Sequence, residues 1–299
     1  MLFRSFSAGI TALKTRPGLV GLIYGMNLVI AFILAVPIYI VLSNTVADTG
    51  FSGDLAARFD VVLWADIMEK AGPILASVRA QFLWMVPLYL LWQVAAGVGL
   101  IHALRDGGVR SFWQGVGRYT GPGLLLALMY LLPLLGWFVF TAIVGVLLNF
   151  LWPGEVGAFW SFFVIIPTLV ITGIAVFDLI QDYGRTALVV GGKTVTSAWT
   201  TGFAWPFRYG VSSWLYLMWF VIAALLLLAP TFIERNIGAA WGVFLLQQLF
   251  LFARAAVTIG WYGSEVALYE HVQWKEAPLI AEETEAVTLE EPSANLGLA

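Results

Sequence analysis

Six long apolar segments, separated by polar links, constrain this chain more than any other feature. The first runs from Leu19 to Leu42 and is 24 residues long. A helix rises 1.5 Å per residue, so about 20 apolar residues cross the hydrocarbon layer of a membrane. The run is longer than the roughly 7–15-residue core of a signal peptide, so we interpret it as a retained span. We predict spans at residues 18–42, 82–104, 123–149, 159–180, 212–229 and 238–262.

Composition supports a membrane protein. The chain is 61% hydrophobic and 11% charged, whereas soluble domains carry roughly 25% charged residues. No basic surface suitable for nucleic acid is present, and the absence of Cys excludes disulfides and Cys-ligated metals. The predicted fold is an all-α, polytopic helical bundle of three hairpins with amphipathic interfacial helices, occupying residues 1–275.

The distribution of basic residues predicts the orientation, because cytoplasmic links carry the excess of Lys and Arg. The link between spans 3 and 4 has no basic residue, and the link between spans 5 and 6 has only Arg235. We therefore place both termini in the cytoplasm and the protein in the inner membrane. The basic residues assigned to the cytoplasmic side are Arg4, Lys14, Arg16, Arg105, Arg110, Arg118, Arg185, Lys193 and Arg208.

An internal repeat is visible in the segments that precede the odd-numbered spans. Residues 5–28 and 197–220 share six identical residues without gaps, among them Arg16 with Arg208 and Gly18 with Gly210. The segment that begins at Ser111 follows the same plan. This pattern favours three repeated hairpins, each preceded by a short amphipathic segment, although shared composition could explain some of the identities.

Two further segments flank the predicted spans. In residues 52–71 apolar side chains recur at helical spacing, which predicts an amphipathic helix on the outer membrane surface or, alternatively, an exposed helix packed on its own loop. The segment 276–299 is rich in Glu and contains Pro278 and Pro292, so we predict a disordered acidic tail.

A polar stripe on span 6 is the candidate functional site. Gln247, Arg254, Thr258 and Glu265 are spaced 7, 4 and 7 residues apart, which places them within about 20° of one line along a helix. A charged Arg within a span costs roughly 2.5–3.5 kcal/mol, so it should face the bundle, with Asp178 and Asp182 of span 4 as candidate partners. The stripe is then a polar pathway or an anionic headgroup site. The alternative is an Arg that reaches the interface or makes one fixed ion pair.

Motifs for catalysis or cofactor binding are missing from the sequence. There is no HExxH, GxSxG or GxxxxGK[ST] pattern. Of the two His residues, His102 lies at the inner end of span 2, with no second ligand at suitable spacing in the sequence, and His271 lies beyond span 6. We therefore expect no enzyme activity, no cofactor and no metal.

The basic, Gly- and Pro-bearing entries LKTRPG and FAWPFRYG, with DLIQDYGRTALVV after span 4, carry a resemblance to known proteins. The layout resembles uncharacterised bacterial six-span membrane proteins and, more distantly, the membrane domain of glycerophosphodiester phosphodiesterases. The catalytic barrel of those enzymes needs roughly 200 residues or more, for which this chain has no room. The resemblance therefore implies a bacterial membrane protein without phosphodiesterase activity.

Two functions fit these features. The first is a non-enzymatic subunit or scaffold that associates with membrane lipids, with other membrane proteins or with further copies of itself. The second is a small secondary transporter or lipid-handling protein that uses the polar stripe on span 6.

Overall fold

The computed structural model describes residues 1–46, 72–233, 237 and 240–290, and every regular element in these ranges is helical. The helices are α1 Leu2–Thr15, α2 Pro17–Val46, α3 Gly72–Asp106, α4 Gly108–Leu151, α5 Glu155–Phe159, α6 Ile166–Val189, α7 Val195–Arg208, α8 Gly210–Ile233 and α9 Ala240–Glu290. A π-helical turn, Trp160–Ile165, joins α5 to α6 without a break. The predicted all-α fold is confirmed.

Five helical segments are long and apolar enough to cross a membrane: Gln81–Asp106, Gly108–Leu151, Glu155–Val189, Gly210–Ile233 and Trp241–Trp274. A sixth results if α1 and the first part of α2, which are bent by 78° relative to each other, are taken as one span. The chain is thus a multi-pass helical membrane bundle, as the apolar runs predicted.

Of the two segments that flank the predicted spans, the structure describes only part of the second. The predicted outer amphipathic segment, 52–71, lies outside the described residues. The acidic tail was predicted to be disordered from residue 276, whereas α9 continues to Glu290. The Ala, Leu and Glu residues of this segment favour a helix, which continues past Pro278. Residues 291–299 lie outside the described part.

Packing follows a threefold plan in which the three helices that end the hairpins form the centre. These are α3, α6 and α9, and they contact one another pairwise. Each also contacts the odd-numbered span before it, in the pairs α2 with α3, α4 with α6, and α8 with α9. Finally, each carries the amphipathic segment of the next unit: α4 begins on α3, α7 lies on α6, and α1 lies on α9, which closes the ring.

Glycines allow the amphipathic segments to approach the central helices closely. A side chain on Gly202 of α7 would collide with the backbone of Ile180 and Gly184 in α6, and one on Gly9 of α1 would collide with Gly260 and Ser264 in α9. The contacted positions are 80 residues apart in both cases, so α6 and α9 occupy equivalent places. Small residues permit such close helix packing in membranes.

The structural repeat differs from the predicted repeat in two ways: its offset is one residue longer, and its middle copy has no break between the amphipathic segment and the span. Both α1 and α7 have 14 residues, and each ends at a residue with φ near −130°, Arg16 and Tyr209. These boundaries are related by 193 residues, one more than the sequence identities suggested. The residue before Pro17 is driven out of helical conformation by the proline ring, and Gly210 follows the second break. In the middle copy α4 runs straight through, from Gly108 to Leu151.

Burial is concentrated at the end of the bundle where the amphipathic segments lie. Most of residues 94–104 of α3 and of residues 179–190 of α6 are buried. The opposite halves of the spans expose large apolar side chains, such as Leu132, Val146 and Phe150 of α4. Lipid tails are as apolar as these side chains, so exposure of this kind is expected where a span meets the bilayer.

Candidate functional site

The polar face of α9 lines a cavity of about 300 Å³ between α2, α3 and α9. Arg254, Thr258 and Tyr262 follow one another along this face at intervals of four residues, and all three line the cavity. The Thr258 hydroxyl donates to the Arg254 backbone carbonyl at 3.1 Å. The Arg254 side chain is exposed, and within the described residues its guanidinium has no hydrogen-bond or ion-pair partner. It is therefore available to a ligand.

The opposite walls of this cavity supply neutral polar groups. From α2 come Tyr24 and Asn27, and from α3 come Trp92 and Gln93. The Trp92 indole N–H donates to Asn27 Oδ1 at 3.3 Å, and the Tyr24 hydroxyl donates to Gln248 Oε1 at 2.8 Å. Among the residues described around the cavity there is no Asp, Glu or Lys. The cavity therefore carries a single positive charge within a largely apolar lining.

A second cavity, of about 550 Å³, lies on the other side of α9 against α8. Arg254 and Leu251 line both cavities, so Arg254 stands at their common edge. Gln247 lines the second cavity. The wall formed by α8 is entirely apolar and includes Phe220, Leu227 and Pro230. An apolar chain fits this second space better than a polar group does.

A buried ionic cluster adjoins the floor of the first cavity. Asp182 and Arg185 of α6 are 3% and 8% exposed, and Arg185 Nη1 lies 3.4 Å from Asp182 Oδ1. The Tyr262 hydroxyl donates to Asp182 Oδ1 at 3.2 Å and accepts from Arg185 Nη1 at 3.1 Å. Tyr262 thus joins the cluster to the cavity that it lines.

The space beside this cluster depends on a glycine of α3. A Cβ atom on Gly97 would lie 3.4 Å from both Arg185 Nη1 and the Tyr262 hydroxyl. The guanidinium and the phenol therefore pack directly against the α3 backbone. A larger residue at position 97 would push against both groups.

Two further carboxyl groups lie near this ion pair, one buried and one exposed. Glu265, which is 1% exposed, accepts a hydrogen bond from the Trp261 indole through Oε1 at 2.8 Å, while its Oε2 is buried and has no partner among the described residues. Asp178, one helical turn before Asp182, is exposed at the surface. Its Oδ2 accepts from the Tyr216 hydroxyl of α8 at 2.9 Å.

The structure distributes the predicted site residues over three places. Arg254 and Thr258 line the first cavity, Gln247 lines the second, and Glu265 and Asp182 belong to the buried cluster, with Asp178 exposed at its edge. The predicted pairing of Arg254 with the two aspartates differs from what the structure shows, because Asp182 is paired with Arg185 instead. Arg185 lies on the same helix, three residues away, and so reaches Asp182 without crossing the bundle.

The residues that the sequence analysis missed are Arg185, Tyr262 and Gly97. Arg185 was assigned to a cytoplasmic link because the most apolar part of span 4 ends before it. Apolar residues nevertheless continue after it, from Ala187 to Val190, which could have indicated that the helix stays buried. The i, i+3 spacing of Asp182 and Arg185 is the second signal, since such residues are neighbours on a helix.

Comparisons with known proteins add no functional information. No protein-family model, no curated protein and no solved structure matches this chain. The resemblance to the membrane domain of glycerophosphodiester phosphodiesterases therefore stays a prediction. In the part of the chain that the structure describes, no group of three or more His, Cys, Asp or Glu residues is placed to hold a metal ion.

Proposed function

We propose that this protein binds an anionic amphiphile, specifically an anionic membrane lipid, and handles it within the bilayer. The observation that carries the proposal is the position of Arg254, whose guanidinium has no partner among the described residues and stands at the edge of two cavities. The headgroup binds Arg254 and the neutral polar groups of the first cavity. The lipid chain occupies the apolar cavity between α8 and α9.

Charge and chemistry favour this ligand class over others. An unpaired Arg inside a span is costly, and an anionic headgroup both compensates its charge and offers acceptors to its fork of donors. A cation would meet a positive charge with no carboxylate in the described lining. A fully polar ligand would leave the apolar wall around Leu227 and Phe250 uncovered.

Native mass spectrometry of the purified protein tests this proposal. The protein is incubated with equal amounts of phosphatidylglycerol and phosphatidylcholine, and lipid adducts are counted. A hydrogen bond to a charged group contributes about 1.5–3 kcal/mol, so we expect Arg254→Gln to weaken phosphatidylglycerol binding roughly 10- to 100-fold. Arg110→Gln is the matched control, because Arg110 is an exposed Arg at the start of α4 and should leave the preference unchanged.

Two results would contradict the proposal. One is equal retention of the two lipids by the wild-type protein. The other is an unchanged preference in Arg254→Gln. Adding inorganic phosphate as a competitor distinguishes the lipid from a free anion, since a site for free phosphate would release the lipid under phosphate excess and a lipid site would not.

A second candidate is the subunit or scaffold function, which would use the exposed apolar faces away from the packed end. Leu132, Val146 and Phe150 of α4 are each more than 70% exposed, and such a face meets either lipid or another membrane protein. A protein partner retained at fixed stoichiometry after gentle extraction would favour this function. It would be recognised in the same mass spectra.

We further propose that both termini are cytoplasmic and that the protein resides in a bacterial inner membrane. The three amphipathic segments pack on the same ends of α3, α6 and α9. These segments contain Arg4, Lys14, Arg110, Arg118 and Arg208. One end of the bundle therefore collects the basic residues, and the excess of Lys and Arg is expected on the cytoplasmic side.

A further inference from the structure

The buried cluster between α6 and α9 contains more acid than base. Asp182 and Glu265 supply two buried carboxyl groups, whereas Arg185 supplies one guanidinium, and none of the three residues is more than 8% exposed. Asp178 is exposed at the surface, so its charge is not counted among the buried groups. Taking an uncompensated charge out of water costs several kcal/mol. A buried carboxyl group without an opposite charge avoids that cost by taking up a proton. Electroneutrality of this cluster therefore requires one proton shared among its carboxyl groups.

The hydrogen-bond pattern agrees with this count. Glu265 Oε2 and Arg185 Nε are both buried, and neither has a partner in the described structure. An ionised carboxylate with one oxygen buried and without a hydrogen-bond donor is the costly state. Protonation removes the charge at that position and leaves Arg185 to balance a single carboxylate.

The groups that surround Glu265 come from several helices. The position on α6 equivalent to Glu265 is Arg185, 80 residues earlier, so the two face each other across the centre of the bundle. From α3 the cluster meets the backbone at Gly97, and from α1 Gly9 lies against the neighbouring Ser264. The titratable or charged side chains that interact with Glu265 or lie in its cluster are Asp178, Asp182, Tyr183, Arg185, Tyr216 and Tyr262.

A path for proton exchange runs through Tyr262. Its hydroxyl bonds to Asp182 and Arg185, and the same residue lines the cavity that holds Arg254. A hydroxyl can accept one proton while it donates another. Water in the cavity therefore has a one-residue connection to Asp182.

We propose that Asp182 and Glu265 form a proton-binding site that holds one exchangeable proton, which enters and leaves by way of Tyr262 and the cavity. The proton comes from water in the cavity and forms an O–H bond with a carboxylate oxygen. On release that bond breaks and the proton returns to water. The inference goes beyond lipid binding, and it holds whether or not the cavity takes a lipid.

Infrared spectroscopy of the detergent-solubilised protein tests the proposal. We expect the carbonyl-stretch band of a protonated carboxylic acid near neutral pH, with loss of the band as the pH is raised. Glu265→Gln and Asp182→Asn should each abolish this titrating band. The matched control is Glu270→Gln, because Glu270 is an exposed carboxylate on the same helix, and it should leave the band unchanged. Absence of a titrating acid band in the wild-type protein would overturn the proposal, even if a variant fails to fold.

Deuterium exchange tests the path separately. Transfer to D₂O should shift the acid band, and Tyr262→Phe should keep the band but slow the shift. An unchanged exchange rate in Tyr262→Phe would overturn the role of Tyr262. Failure of lipid binding in the mass spectra would leave both infrared results unaffected, so the two proposals can fail independently.

Discussion

Removal of Arg185 should destabilise the protein far more than removal of Asp182. Arg185 is the single base of the buried cluster, next to Asp182 and Glu265, and it is 8% exposed. Arg185→Gln leaves the buried carboxylates without a positive charge, for which we expect a loss of about 3–5 kcal/mol in the free energy of unfolding. Asp182→Asn leaves Glu265 to balance Arg185, so it should cost only about 1 kcal/mol, the value of its hydrogen bond to Tyr262.

The double variant Asp182→Asn/Arg185→Gln makes the prediction more specific. With both partners neutral, Glu265 needs only a proton to complete the neutral core. The double variant should therefore lose only about 1–2 kcal/mol, which is less than the loss from Arg185→Gln alone. Additive losses would show that the two side chains do not act as a pair.

The assay is unfolding by SDS in mixed micelles, followed by the fluorescence of the 14 Trp residues. Arg110→Gln serves as control, because an exposed Arg should change the free energy of unfolding by no more than about 0.5 kcal/mol. The reasoning is refuted if Arg185→Gln costs no more than Asp182→Asn. It is also refuted if the double variant is the least stable of the three.

Three further predictions concern packing and topology. Gly202→Ala should lower the free energy of unfolding by about 1–3 kcal/mol, because its Cβ would meet the α6 backbone. The control Gly117→Ala, which has open space around it, should be neutral or stabilising. Equal effects of the two substitutions in SDS unfolding would contradict the contact between Gly202 and α6. Trp219→Phe should cost about 1 kcal/mol in the same assay, because the indole N–H donates to the buried Ser264 hydroxyl at 3.0 Å, and an unchanged midpoint would argue against that bond. A single Cys at position 155 should react with a membrane-impermeant thiol reagent only from the periplasmic side, and reaction only from the cytoplasm would invert the proposed topology.

The spans could be predicted because their signal lies within each segment. An apolar run of sufficient length needs a membrane regardless of what it packs against, so the spans ending at Leu104 and Ala229 were found without tertiary information. The continuation of α9 to Glu290 was not predicted, because the acidic composition together with Pro278 and Pro292 indicated disorder, whereas the Ala, Leu and Glu residues favour a helix.

The candidate site could be predicted only as far as a single helix defines it. The periodicity of α9 placed Arg254 and Thr258 on one face, and both line the same cavity. Which residue of α6 lies opposite that face depends on the register between two helices, and a single-helix pattern contains no information on that register. For this reason the predicted partner of Asp182 was Arg254, whereas the observed partner is Arg185.

The most direct test of the lipid-binding proposal is an experimental density map of the protein in nanodiscs that contain phosphatidylglycerol. If the protein binds an anionic lipid at Arg254, headgroup density should contact Arg254 in the cavity between α2, α3 and α9. Chain density should also lie along the apolar wall of α8 near Leu227. Lipid density confined to the outer surface of the bundle, with both cavities empty or closed by side chains, would contradict the proposal.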